Sequence, residues 1–314
     1  MPYIRETLAS IYDQTYRDWE IIVWDNGSTD GTLEELKKWI PGKLPGKIVR
    51  DRPLSLGRSL AALVEMASTD LCARIDADDL CHPERLEKQV AFMRENPQVG
   101  LLGTRFERVD PEGKPLSLVL NSPYDDADLR WNLRWGNGIC HPSVMFRRSA
   151  VLAAGNYHDC MPYEDYDLWL RMSTITEVGL VPEVLLKYRI VPTGVMGGGS
   201  IDPKPAINKG AGKNASILFG DMDPSAALKI RNRVAHDRQN TEPAKLRHLI
   251  DHRRAAASAA LSVGKPPSYF RNTDLYLEQM RFLMFTWLKQ HLWGRTVVRM
   301  GRSVHRLTSA RPDR

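Results

Sequence analysis

The chain opens with apolar residues at helical spacing: Ile4, Leu8, Ile11 and Tyr12 share one face of a helix predicted over 2–15. A short apolar run, Glu20-Ile-Ile-Val-Trp24, comes next and stops at the polar string Asp25-Asn-Gly-Ser-Thr-Asp-Gly31. That change fits a strand ending in a turn, with Ser28 or Thr29 capping a helix that begins near Leu33. The alternation then repeats. Residues 47–50 read as a short strand, 56–67 as a helix, and Leu71-Cys-Ala-Arg-Ile75 as a buried strand running into Asp76-Ala-Asp-Asp79. Pro83 opens a helix reaching about Asn96, strands are predicted at 99–109 and 143–147, and a helix at 163–172.

Strands alternating with helices predict an α/β fold with an open, mostly parallel sheet. In such sheets ligands bind beyond the carboxyl ends of the strands, and both Asp25 and the 76–79 cluster fall at predicted strand ends. From Pro192 through Gly197-Gly-Gly199 to Pro205 the pattern stops, as in a linker or mobile loop. Beyond it lie helical stretches without strand signal at 226–237, 243–260 and 274–300. The expected organisation is a catalytic α/β domain over 1–194, a Gly/Pro-rich linker over 195–212 and a basic helical region over 213–314. No internal repeat is visible.

Composition narrows the setting. Of the 314 residues, 42% are hydrophobic and 26% charged, which is ordinary for a soluble globular chain with a well-buried core. Cys72, Cys81, Cys140 and Cys160 form no CxxC pair, which argues against a zinc site or a disulfide scaffold and for a reducing cytoplasm. No stretch approaches the roughly 20 apolar residues of a spanning helix. The amino terminus lacks the basic head and apolar run of a signal peptide. The net charge of +6 is uneven: residues 195–314 hold 21 Lys and Arg against 9 Asp and Glu, so the front is acidic and the back basic.

The acidic front carries the candidate chemistry. Asp76, Asp78 and Asp79 place three carboxylates in four positions, and hard cations such as Mn²⁺ or Mg²⁺ take oxygen ligands of this kind, often shared with substrate phosphates. An isolated Asp-x-Asp is more often a solvated turn, and its place at the end of a buried strand tilts the balance towards a site. The string from Asp25 and Asn26 to Gly31 can be no more than a turn and helix cap. Glu164 and Asp165 begin a predicted helix, where acids are favoured by the helix dipole alone, but either could serve as a general base. His141, in Cys140-His-Pro-Ser-Val-Met-Phe146, is by itself more often structural.

Taken together and in order, PYIRETLASIYDQTYRDWEIIVWDNGSTDGT, ARIDADDLCHPERLEKQVAFM, HPSVMFRR and YEDYDLWLRM resemble the family 2 glycosyltransferases of GT-A fold over roughly residues 2–190. The resemblance implies an inverting transfer from a nucleotide-diphosphate sugar, usually UDP-linked, to a hydroxyl acceptor in glycan or polysaccharide assembly. Carried across, it puts Asp25 and its neighbour Asn26 at the nucleobase, Asp76 and Asp78 at ribose and metal (Mn²⁺ or Mg²⁺), and Asp79 in support. Asp165 becomes the base, Glu164 lines the acceptor site, and Arg74 and His141 are weaker candidates for the donor pocket.

Three departures stand out. The family's first strand, which would precede Pro2, is absent, so the resemblance leads one to expect a start upstream of Met1 and neighbouring strands short of a partner. Asn26 stands where Asp is frequent, and Val191 where a metal-binding His is frequent, so a weaker metal site is expected. The last helical stretch sets Phe282, Phe285, Trp287 and Trp293 before Arg295, Arg299 and Arg302. It could lie on the inner face of the membrane beside a lipid-linked acceptor, or pack on the catalytic domain or a second copy; no nucleic-acid motif is present. A non-catalytic nucleotide-sugar or glycan binding protein is the rival reading. A nucleotidyltransferase would need a Gly-rich phosphate loop, which is not seen.

Overall fold

A computed structural model describes residues 3–119, 125–134 and 136–192, with scattered positions from Asn214 to Met280. The chain divides into two compact units, residues 1–218 and 219–314, and the strands and numbered helices all belong to the first.

Helix α1 (Ile4–Tyr12) buries Ile4, Leu8 and Ile11, as their spacing predicts. Tyr12, at its end, is largely exposed and meets Trp39 edge to face. Strand β1 (Ile21–Trp24) pairs in parallel with β2 (Gly46–Val49), and α2 (Thr32–Trp39) makes the crossover between them. Leu36, Ile40 and Leu44 close the core of this unit against α1. The cap of α2 differs from expectation. Neither Ser28 nor Thr29 provides it; Gly31 turns the chain at φ +84°, and the Asp30 carboxylate accepts from the Thr32 amide at 3.2 Å.

Helix α3 (Leu56–Met66) leads to β3 (Leu71–Ala73), then β4 (Leu80–Cys81), α4 (Arg85–Glu95) and β5 (Val99–Val109). Next come β6 (Pro115–Val119), α5 (Asp126–Leu133), a 3₁₀ turn at His141–Ser143, β7 (Met145–Arg147), α6 (Arg148–Ala153), α7 (Glu164–Met172) and β8 (Glu177–Arg189). The second sheet has the order β3-β7-β5-β8-β4, with β6 also on β5. Only β5 and β8 are parallel in it; β3–β7, β7–β5, β8–β4 and β5–β6 are all antiparallel.

The expectation of a mostly parallel sheet is therefore corrected to a mixed one. A parallel pair needs a crossover of a dozen residues or more, which α2 supplies in the front half. Farther on, most sheet neighbours are strands distant in the chain that meet antiparallel, and a tight reversal joins one pair directly. That β5–β6 turn is closed by Asp110, whose carboxylate accepts from the Glu112 and Lys114 amides at 3.0 and 2.7 Å. Strand β8 is hidden in the sequence because Pro182 and Glu183 interrupt its apolar run. The pairing skips both: Val181 faces Thr104 and Val184 faces Arg105, so proline costs the ladder no bond.

Among the described residues, β1 has no strand partner on its edge away from β2, nor β3 on its edge away from β7. Both strands line a cavity of about 650 Å³ walled by α1 and α3, with Leu8, Val23, Leu60, Leu63 and Ile75 among its apolar contacts. This is the region in which the resemblance leads one to expect a further strand. Of the predicted C-terminal helices, 226–237 lies outside the described residues. Within the other two, Arg253, Ala256, Ala257 and Ala260, and Tyr276, Leu277, Gln279 and Met280, are helical; Arg295 to Arg306 lie outside the described residues. No helix among the described residues is long and apolar enough to cross a membrane.

Leucines on the two sides of this architecture should behave differently. Leu36→Ala removes a side chain that is 1% exposed and should cost about 2–5 kcal/mol in urea unfolding. Leu63→Ala borders space that is already open and should cost about 1 kcal/mol or less, since little new cavity is made. Equal losses would contradict the cavity.

Candidate active site

Two groups of acids lie near each other, one just past a strand and one at the start of a helix. The first lies just past β3. Asp76, Asp78 and Asp79 each offer a carboxylate oxygen within 4.8 Å of the others. The turn is held from three sides. Thr7 on α1 donates its hydroxyl to the carbonyls of Ala77 and Asp79 at 3.0 and 2.8 Å. Arg189, at the end of β8, donates its amide to Asp79 Oδ1 and its Nε to the Asp78 carbonyl, both at 2.8 Å. Its Nη2 reaches Glu6 at 2.6 Å, Nη1 reaches the Pro111 carbonyl, and its plane stacks on Tyr3. Beneath the site, buried Arg85 donates to the carbonyls of Arg74 and Val144 and so staples the ends of β3 and β7 together.

Asp79 is fully buried, and its Oδ2 has no hydrogen-bond partner. Burial first, then the neighbouring Asp76, pushes its carboxyl up to about 8. Asp78 is raised for the same two reasons. Three crowded carboxylates with an orphaned buried oxygen are short of positive charge, and they fit an oxygen-seeking divalent cation. Asp76 is held differently, in a bidentate pair with Arg74.

The second group sits at the start of α7. His141 Nδ1 lies 4.0 Å from both Glu164 Oε1 and Asp165 Oδ2. Burial and the charge of Arg74 hold His141 well below its ordinary pKa, so the ring is neutral and these contacts are not ion pairs. Its Nε2 shares a proton with the Tyr157 hydroxyl at 3.0 Å, and Trp169 packs edge-on against the ring. Asp165 accepts from the Tyr166 amide and from Asn137 Nδ2, each at 2.6 Å. Glu164 Oε2 is buried without a partner. Burial raises both acids, and the Asp165 charge adds to it for Glu164. Below them Asp167 is fully buried, gripped by Arg171 and His158, which fixes the helix that carries the pair. The Arg74 charge acts on both Asp76 and Asp165, so one guanidinium serves both groups.

Asp25 closes β1. It is 2% exposed, its Oδ1 accepts from the Ser28 amide at 3.1 Å, and Arg50 Nε lies 3.5 Å from Oδ2. Asn26 is a clamp: its amide exchanges two hydrogen bonds with the Leu54 backbone, at 2.8 and 2.7 Å. The cavity beside β1 extends to Arg74 and Asp76, which links the two strand ends.

The family profile described as Glycosyl transferase family 2 matches residues 1–153. The amylovoran biosynthesis glycosyltransferase AmsE of Erwinia amylovora is 34% identical over 188 residues, covering 59% of this chain and 70% of that protein. The chain belongs to glycosyl transferase family 2. The O-antigen biosynthesis glycosyltransferase WbnJ of Escherichia coli is 31% identical over 198 residues, covering 60% of this chain and 74% of that one. Two solved structures share the fold. Staphylococcus aureus TarS 1-349 with UDP-GlcNAc aligns at a TM-score of 0.59 and 16% identity over 93% of this chain and 90% of that one. The mannosyltransferase PcManGT of Pyrobaculum calidifontis with GDP-Man and Mn²⁺ aligns at 0.53 and 18%, over 94% and 84%. This glycosyltransferase thus has the GT-A architecture, with helices flanking a curled mixed sheet.

Arg189, Thr7, Arg85 and Asn137 are site residues that sequence reasoning passes over. Arg189 is legible only as part of Tyr188-Arg189-Ile190-Val191, the segment in which Val191 departs from the family, while Thr7 and Asn137 carry no local signal.

The raised acids make stability depend on pH. The folded chain holds the Asp79 proton up to about 8, whereas the unfolded chain releases it in the ordinary carboxylate range. The stabilisation is therefore complete below the unfolded value and lost as pH rises towards the folded one. Without divalent ions, the melting temperature should fall between about pH 5 and 8. Asp79→Asn should flatten that fall, and Mn²⁺ should counter it at the alkaline end.

Proposed function

We propose that this family 2 glycosyltransferase moves a sugar from a nucleotide-diphosphate donor, UDP-linked, to a hydroxyl acceptor in glycan or polysaccharide assembly, with inversion at the anomeric carbon. One observation carries this reading: two acid groups, each with a buried carboxylate oxygen that has no hydrogen-bond partner, share the charge of Arg74. Relatives matched to this chain are named for amylovoran and O-antigen biosynthesis, and solved neighbours hold UDP-GlcNAc, UDP or GDP-Man.

Asp25 sits at the end of β1, where a nucleobase can take its carboxylate, while Asn26 keeps the 53–54 segment in place beside it. Asp78, with Asp76 and Asp79, would hold Mn²⁺ or Mg²⁺. That ion, when bound, offsets charge on the departing diphosphate. Arg74 provides fixed positive charge between the donor and acceptor sides, and neutral His141, packed on Tyr157 and Trp169, stands beside the acid pair. Asp165 takes the proton of the acceptor hydroxyl as its oxygen bonds to the anomeric carbon, and the bond from that carbon to the diphosphate breaks on the opposite face. Glu164 borders the acceptor and offers its free Oε2 to a second hydroxyl. An acceptor that is a glycan or a lipid-linked glycan suits a cytoplasmic enzyme working beside the membrane.

Calorimetric titration with UDP tests the donor half. Binding should require Mn²⁺ and weaken at least tenfold in Asp78→Asn; metal-independent binding would sink the assignment. Turnover tests the other half, with a panel of UDP-sugars screened for UDP release. Asp165→Asn should lower kcat by about 10²–10⁴ while donor binding stays unchanged. A chain that binds UDP with Mn²⁺ yet releases none from any donor would favour the non-catalytic binding reading.

A further inference from the structure

Asn137 sits in the connection between α5 and the 3₁₀ turn, on the acceptor side of the pocket, and is itself exposed. The connection is anchored tightly. Gly136 donates its amide to the Asn132 carbonyl at 3.2 Å, and Ile139 is 3% exposed. A Cβ on Gly138 would lie 2.6 Å from the Asn132 amide nitrogen, so the chain passes that side chain as closely as glycine allows. The Tyr166 hydroxyl donates to the Leu133 carbonyl at 2.6 Å and ties the end of α5 to α7. Asn137 makes the second tie, 2.6 Å from its Nδ2 to Asp165 Oδ2.

The orientation of the amide is set as well. Its oxygen accepts from the Ile139 amide at 3.3 Å, which leaves the NH₂ group facing the carboxylate. A flipped amide would lose that bond and set oxygen against oxygen. Asp165 Oδ1 accepts from the Tyr166 amide and Oδ2 from Asn137, so the carboxylate is fixed at both ends and each oxygen keeps one lone pair for an acceptor.

We propose that Asn137 is a positioning residue for Asp165: its amide fixes Oδ2 and thereby sets the direction from which the acceptor hydroxyl reaches the carboxylate. The proposal rests on the reading of Asp165 as the base. It also bears on proton affinity. Asp165 faces Glu164 on its own helix, neutral His141 on the 3₁₀ turn, Tyr157 on the loop before α7 and Arg74 after β3. Burial favours the protonated acid, and the Tyr166 and Asn137 hydrogen bonds and the Arg74 charge favour the carboxylate. Of these, Asn137 alone is exposed, in a loop, and replaceable without disturbing a buried contact.

Carboxyl-¹³C NMR of aspartate-labelled protein gives the test without any ligand, the Asp165 signal being the one lost in Asp165→Asn. Asn137→Leu removes the donor and keeps water away from Oδ2. It should raise the Asp165 titration midpoint by about one pH unit, a tenfold change in proton affinity. Asn137→Ala, which lets water in, should raise it less, and Asn137→Asp should raise it at least as much as Asn137→Leu. With any donor turned over, Asn137→Leu should lower kcat about tenfold and leave the donor KM alone. A midpoint that stays put or falls in Asn137→Leu, with unchanged circular dichroism, overturns the proposal even where Asp165→Asn is inactive. Undiminished turnover by Asp165→Asn overturns the base assignment instead, and leaves the titration result as a statement about Asp165 alone.

Discussion

The Asp79 carboxylate buried beneath the acidic turn is the constraint around which the site is arranged. Ionising it there, beside Asp76 and Asp78, is costly, so its proton is held up to about 8, and the surrounding chain is organised around it. Arg189 supplies an amide to its oxygen, a guanidinium to the neighbouring carbonyl, and contacts to α1 and the β5–β6 turn. Thr7 holds the same turn from α1. The first helix, the acid turn and the last strand are thus locked through one arginine that is 3% exposed. Burying that guanidinium is tolerable because every direction it faces offers an oxygen or a ring.

The same logic separates the two acid groups. Were all five carboxylates equally solvated, none would have reason to prefer a cation over a proton or a hydroxyl over water. Instead Arg74 is paired tightly to Asp76 and acts at longer range on Asp165. The strand-end group remains short of positive charge, and the helix-start group is desolvated but supported by hydrogen bonds. Under the proposed assignment, a cation and an acceptor proton are chemically distinct demands, and the two environments differ in the matching sense. Asp167 and Arg171 beneath α7, and Arg85 beneath β3 and β7, show that both environments rest on fixed elements.

The mixed sheet reflects how the chain can be connected. The front of the domain is a parallel unit because helices long enough to cross over are written into the sequence between its strands. In the back, β5 and β6 reverse directly, whereas β3–β7, β7–β5 and β8–β4 pair strands far apart in the chain, and β8 runs along β5 with Pro182 and Glu183 outside the ladder. Among the described residues, β1 and β3 each have an edge without a strand partner, and both border an apolar cavity that reaches Arg74 and Asp76.

Much of this architecture is legible in the sequence. Period-3.6 and run-type apolar patterns locate α1, β1, α3, α4 and β5 to within a few residues, because those patterns report burial directly. The acid cluster is legible because three carboxylates in four positions after an apolar run are chemically conspicuous, although the strand expected to be buried, β3, is half-buried and ends exposed at Ala73. Tertiary structure alone decided the rest. It made Asn26 a clamp, moved the α2 cap to Gly31 and Asp30, turned most of the sheet antiparallel, and brought Arg189 to Asp79 and Asn137 to Asp165 across 110 and 28 positions of chain. Local pattern encodes which face of an element is buried. It does not encode which distant polar atom will stand opposite, and in this site those distant atoms set the charge and orientation of the clustered acids.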